Sequence, residues 1–215
     1  MRSVFFQALG VCFVSVLSIH CACAEDTAEH HKIQVGDTWV YQQSDRITNT
    51  PTQNFNWVVT EVAEKTYTIN GTNTIGNSIL DIYDYHSNGI QYGAYKYNPD
   101  DGGGMPGGAK VGTTWNRTFS WRNIDRGDGG KGNAAGKCTG NESVTVPAGT
   151  FDALKCVVTL RYRSPGSGPS VREIEITSWY SPEFIRYVKR ESKDKLRGHL
   201  QSDKLEELSD YNLNN

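Results

Sequence analysis

Beyond residue 24 the sequence contains no apolar run long enough to cross a membrane as a helix, and no window where apolar residues recur at helical spacing. Membrane-spanning helices and helical bundles are excluded on that ground. The short catalytic signatures are missing as well: no G-x-S-x-G elbow, no H-E-x-x-H and no C-x-x-C occur in this region. A bias of charge is also lacking, since 22 Lys and Arg stand against 24 Asp and Glu, and only Arg2 lies in the first 24 residues. Near-neutrality speaks against a nucleic-acid partner and against electrostatic docking on an anionic membrane. Cysteine is scarce: three of the five, Cys12, Cys21 and Cys23, precede Ala24, which leaves Cys138 and Cys156.

The start of the chain explains that division. Met1-Arg2-Ser3, an apolar run from Val4 to Ile19 and the small-residue stretch Ala22-Cys23-Ala24 are the parts of a secretory signal peptide. Cleavage is expected after Ala24. A spanning helix needs ~20 apolar residues, and Gln7 and Gly10 interrupt this shorter run. Cys21 and Cys23 lack the Leu and small residues that precede a lipidated cysteine, so the processed chain is read as soluble, in the periplasm or secreted. Residues 25–34 are a polar leader, and 35–215 form one domain on the usual length prior of ~100–200 residues. Hydrophobic content is only 37%, but aromatic content of 11% supplies enough area for a packed core. In an oxidising compartment Cys138 and Cys156 read as a disulfide, contributing roughly 3 kcal/mol through loop entropy.

From residue 37 onward, short segments rich in Thr, Val, Ile, Tyr and Trp alternate in polarity. They predict strands near 37–43, 54–62, 66–70, 78–85, 89–97, 113–121, 141–146, 151–163, 171–180 and 184–191. The fold class is all-β: a curved antiparallel sheet, half-barrel or barrel-like, of about ten strands. Asn88-Gly89 marks one hairpin, because both residues tolerate positive φ. Pro147-Ala148-Gly149 marks another. After it Leu154, Cys156, Val158, Leu160 and Tyr162 share the inward face, and folding back brings Cys138 opposite Cys156 with about one step of slack. In the next hairpin Arg161 falls opposite Glu173 and Thr159 opposite Glu175, which makes that acidic pair a cross-strand ion-pairing device more readily than a catalytic dyad. Two glycine-rich stretches, 98–109 and 123–136, are expected to be mobile loops. In the tail, Asp203 with Glu206 fits a capping box, but a closing strand over 207–211 is preferred. Val35-Gly-Asp-Thr-Trp39 and Val111-Gly-Thr-Thr-Trp115 echo each other and suggest two equivalent strand starts.

Most chemical signals fail on context. Gly102-x-Gly104-x-x-Gly107 is followed by no helix to receive a pyrophosphate. The 125–133 run offers Asp125 and Asp128 but no closing bidentate carboxylate for calcium. His30-His31 belongs to the polar leader, and His86 and His199 are isolated. Neither a metal nor a cofactor is expected. The positive signal is aromatic: Trp115, Phe119 and Trp121 share one parity on one strand. They are core, or they line a concavity for a lipid, a glycan or a peptide.

The elements Val35-Gly-Asp-Thr-Trp-Val-Tyr41, Lys110-Val-Gly-Thr-Thr-Trp115, Val144-Thr-Val-Pro-Ala-Gly-Thr-Phe-Asp-Ala-Leu-Lys155 and Trp179-Tyr-Ser-Pro-Glu-Phe184 occur in that order. In this the chain resembles a group of uncharacterised bacterial exported proteins, half-barrels distantly similar to periplasmic lipoprotein carriers. A glycine more usual after Ser-Pro is replaced here by Glu183-Phe184. The resemblance implies an envelope location and a binding or scaffolding role, and it carries over no catalytic residue. Three functions follow as expectations: binding of an apolar or amphipathic ligand or an envelope partner in an aromatic-lined sheet, a scaffold with a filled core, or a hydrolase without a recognisable motif.

Overall fold

A computed structural model describes residues 31–85, 88–99, 104–163, 172–183 and 186–214. The signal segment, most of the leader with His30, and His86 lie outside the described residues, as do Gly102, the 164–169 loop and Phe184.

The chain runs β1 (Thr38–Asp45), β2 (Thr50–Val62), β3 (Thr66–Asn73), β4 (Ser78–Asp84), β5 (Gly89–Tyr92) and β6 (Tyr95–Asn98). It continues with β7 (Thr114–Asn123), β8 (Gly129–Val146), β9 (Gly149–Arg163), β10 (Arg172–Ser181), β11 (Arg186–Leu196) and β12 (His199–Asn212). Each strand pairs antiparallel with its sequence neighbours, and β1 pairs with β12, so the sheet closes on itself. Closure removes every edge strand, which leaves no ladder open for aggregation. One of the expected strands is two, and the preferred closing strand of the tail forms and extends back to His199. The 89–97 segment reverses at Gly93-Ala94, and the tail forms β12 rather than a capped helix.

Side chains alternate as a closed sheet requires. Trp39 and Tyr41 are buried while Gln42 between them and the next buried residue, Gln43, is exposed. On β9 Cys156 and Leu160 are buried on the inward face. The Cys138–Cys156 disulfide joins directly opposed residues of β8 and β9. The step of slack in the register is a bulge between Cys138 and Gly140. Glu173 pairs with Arg161 and Glu175 with Thr159, and Arg161 Nε lies 2.9 Å from Glu173 Oε2. Pro147-Ala148 is a two-residue turn, with Gly149 at φ 141°, where L side chains are strained.

Two expectations are corrected. Residues 129–136 are not a loop but the first half of β8. Glycine lowers strand propensity because it packs nothing, but here the rings of β7 fill the missing volume. Trp115 lies over Gly136 and Phe119 over Gly132, each so close that a Cβ would sit 2.0 Å and 2.2 Å from ring carbons. The Asn88-Gly89 pair is likewise not the hairpin turn. Tyr83 pairs with Gly89, which already belongs to β5 and whose bare Cα accommodates the Tyr92 ring.

The echoed pentapeptides form the same device twice. Gly36 (φ 93°) donates to Val59 O, and Val59 N–H returns to Asp37 O, both at 2.9 Å. Gly112 (φ 86°) donates to Cys138 O, and Cys138 N–H returns to Thr113 O, again at 2.9 Å. Each turn launches a strand whose tryptophan, Trp39 or Trp115, is buried. Asp37, fully buried, adds a seam between the chain ends. Its carboxylate accepts from Gln34 N–H and Asn214 N–H, both at 2.8 Å, and meets His31 Nε2 at 2.7 Å.

Candidate functional site

The lumen is filled on one side and open on the other. On the side of β1–β4, β11 and β12, Trp39, Tyr41, Tyr67, Ile69 and Leu208 pack to near-complete burial. Arg186 is embedded there, its guanidinium 5.0 Å from the Trp39 ring and 5.6 Å from that of Tyr83. Its Nε and Nη1 have no hydrogen-bond partner, so ring faces rather than a carboxylate are its immediate neighbours.

On the opposite side, between β5–β7 and β9–β11, lies a chamber of about 250 Å³. Tyr97, Trp115, Leu160, Tyr162, Ile174 and Ile176 line it. A void of ~150 Å³ suffices to hold a benzene ring, so this one exceeds a packing defect. Edge-to-face rings brace its wall: Tyr92–Tyr97 at 5.6 Å, Tyr97–Phe119 at 5.8 Å and Phe119–Tyr162 at 5.4 Å. Burial pushes the Tyr162 hydroxyl up to about 12 and raises those of Tyr92 and Tyr97 further, so all three stay neutral donors. Among the described lining residues, Arg190 is the cation that faces this chamber. Arg190 spends Nε on Ser178 Oγ at 3.3 Å and lays its guanidinium 3.7 Å from the Tyr187 ring centroid.

The chamber adjoins a wider mouth of about 950 Å³ at one end of the barrel. Lys110, Asn141, Ser143 and Asp152 give the mouth polar walls, and Leu154 and Tyr180 apolar ones. Met105 and Tyr180 border both spaces, with Met105 Sδ 3.5 Å from Cys156 Sγ. Glu142, also at the mouth, accepts the Trp179 indole N–H at 2.7 Å and Lys155 Nζ at 3.0 Å. The indole hydrogen bond, then the lysine, holds its carboxyl below the ordinary range. Both oxygens are engaged, and no described serine at the mouth donates to a carboxylate or histidine. Among the described residues no three His, Cys, Asp or Glu side chains converge as a metal site would require.

Of the residues singled out by parity, Trp115 lines the chamber, while Phe119 stands behind it between Tyr97 and Tyr162. Trp121 packs toward the far rim, 5.9 Å from the Tyr95 ring. Sequence reasoning missed Ile174, Ile176 and Arg190. The alternation of Ile174-x-Ile176 opposite Leu160 and Val158 was the signal available for the two isoleucines, because cross-strand partners share a face.

No protein-family model matches the sequence, and no curated protein is detectably similar to it. Solved structures are. A presumed lipoprotein of Parabacteroides distasonis superposes with a TM-score of 0.54 at 17% identity, over 85% of this chain and 97% of that one. The fold is shared. A presumed exported protein of Bacteroides fragilis, described as having a YmcC-like fold, matches with a TM-score of 0.51 at 13% identity, over 85% of this chain and 98% of that one. At such identities the likeness concerns the barrel and not the residues of the chamber.

Proposed function

We propose that the protein is exported to the cell envelope and binds an amphipathic molecule there, with the apolar part in the chamber and the polar part in the mouth. The observation that carries this reading is the asymmetric filling of the lumen. A barrel built only as a scaffold would pack both sides, as β1–β4 do. Here rings and aliphatic side chains instead enclose a space that opens into a polar vestibule. The leader sequence and the disulfide support an oxidising compartment, as do the descriptions of the two structural neighbours as an exported protein and a lipoprotein. At the mouth Glu142 is held by the Trp179 indole and Lys155, which favours a structural part for that carboxylate over use as a base.

The test is native mass spectrometry of protein purified from its own envelope, with Trp emission followed as lipid extract is added. A small-molecule adduct and a spectral shift are expected. Ile176→Phe, which places a ring in the chamber, should abolish both while leaving the unfolding midpoint within a few degrees of wild type. Protein without adduct and without a shift would overturn the proposal, and a co-purifying protein in place of a small molecule would favour the scaffold.

A further inference from the structure

Neutral overall charge conceals a local row of cations, with the exposed Asp125 and Asp128 on the neighbouring 124–128 connection. In an up-and-down barrel successive connections alternate between the two ends. The mouth connections, 99–113 and 147–148, lie at one end. The connections 46–49, 74–77, 93–94, 124–128 and 197–198 lie at the other. Near this second end the outward face of four consecutive strands carries Lys96, Arg122, Lys131 and Arg163, all exposed. Register sets them in like-charged opposition: Lys96 faces Arg122 across β6 and β7, and Lys131 faces Arg163 across β8 and β9. Like charges directly opposed weaken a sheet, and none of the four forms an ion pair with a described residue. The arrangement makes sense as a receptor for an external anion.

A second, independent feature accompanies it. Three of the connections at this end present a large aliphatic side chain to solvent: Ile47 at 59% exposure, Ile75 at 77% and Ile124 at 49%. Leu196 and Leu200, flanking the 197–198 turn, are exposed as well. Ile47, Ile75 and Ile124 stand on separate tips around the rim, and the exposed Ile79 and Leu80 follow Ile75 on β4. Aliphatic tips on the same rim as a row of long Lys and Arg side chains on β6–β9 fit the headgroup–acyl boundary of a bilayer. Nucleic acid would use the cations but has no use for the isoleucines.

We propose that this rim docks on an anionic phospholipid bilayer, with the hairpin tips inserted and the basic belt against the headgroups, so that the mouth faces away from the membrane. This stands apart from the ligand proposal, since no residue of the chamber takes part. The test is co-sedimentation of the processed, disulfide-bonded protein with vesicles of phosphatidylcholine, alone or with about one-third phosphatidylglycerol. Partition is expected to rise about tenfold with phosphatidylglycerol and to fall again as salt shortens the ~10 Å screening length. Ile47→Asp, Ile75→Asp and Ile124→Asp together should remove about nine-tenths of the binding. Arg122→Glu with Lys131→Glu should do the same while holding or raising the unfolding midpoint, because each glutamate then faces a cation. Equal partition onto both vesicle types, wild-type partition by the glutamate variant, or competition by RNA that the aspartate variant retains would each overturn the proposal.

Discussion

A methyl group added at Gly136 would place its carbon 2.0 Å from Cζ2 of Trp115 and 2.2 Å from Cε2. Real carbon–carbon contacts lie near ~3.5–4.0 Å, so one partner must move by more than an ångström. The indole packs against the disulfide and is only 8% exposed, so it can relieve the clash only by leaving that packing and swinging into the chamber it lines. Overpacking of this kind costs about 1–3 kcal/mol. Replacing glycine gains about 0.4–1 kcal/mol by restricting the unfolded chain. Taking the middle of each range leaves Gly136→Ala destabilised by roughly 1 kcal/mol, which lowers the thermal midpoint by about 2–4 °C for a domain of this size. Gly140→Ala is the control on the same strand, since a Cβ there meets nothing within 4 Å. It should match or exceed wild type. Urea titrations of both variants, read by near-ultraviolet circular dichroism at unchanged m-value, supply the comparison. A Gly136→Ala midpoint at or above that of Gly140→Ala would refute the claim that glycines in β8 exist to seat the rings of β7.

Replacing Cys138 and Cys156 by serine opens a loop with a sequence separation of 18, which should cost about 3 kcal/mol in chemical denaturation. Asp37→Ala strands the Gln34 and Asn214 N–H groups, and a loss of about 2–4 kcal/mol is expected, with faster amide exchange at both chain ends. Burial raises the carboxyl of Asp81 above its ordinary value, opposed by the Gly93 N–H at 2.9 Å and by Arg186. The folded state therefore holds this proton to higher pH than the unfolded chain, so its contribution is complete below pH ~4 and is lost as pH rises through the folded value. Asp81→Asn should flatten that fall, measured as unfolding free energy against pH.

How far the sequence could be read depended on where the information resides. Period-two alternation is local, so β9, its outward pairs with β10 and the Cys138–Cys156 partnership were all legible from residues 137–180. The first half of β8 was not. Its glycines look like a loop in isolation, and only the rings of β7 make them a strand. Likewise β6 is four residues long and hides behind the Gly93-Ala94 turn. Aromatic parity placed Trp115, Phe119 and Trp121 on the inner wall, but which wall stays unfilled depends on closure between β1 and β12, a relation between the two ends of the chain. Arg190 shares its parity with Val188, opposite Lys189, Lys193 and Lys195, but which space that face borders depends on closure, so its place at the chamber was not legible.

The duplicated Gly36 and Gly112 turns divide the ring into two runs of equal strand number, β1–β6 and β7–β12, each opened by the same backbone clasp on the strand that follows. A ring so divided has no privileged first strand. Since Asp37 already ties Gln34 to Asn214, a short peptide joining residues 34 and 214 and a new break in the 99–113 connection would give a chain that begins at the second clasp. Such a permuted chain should fold into the same barrel.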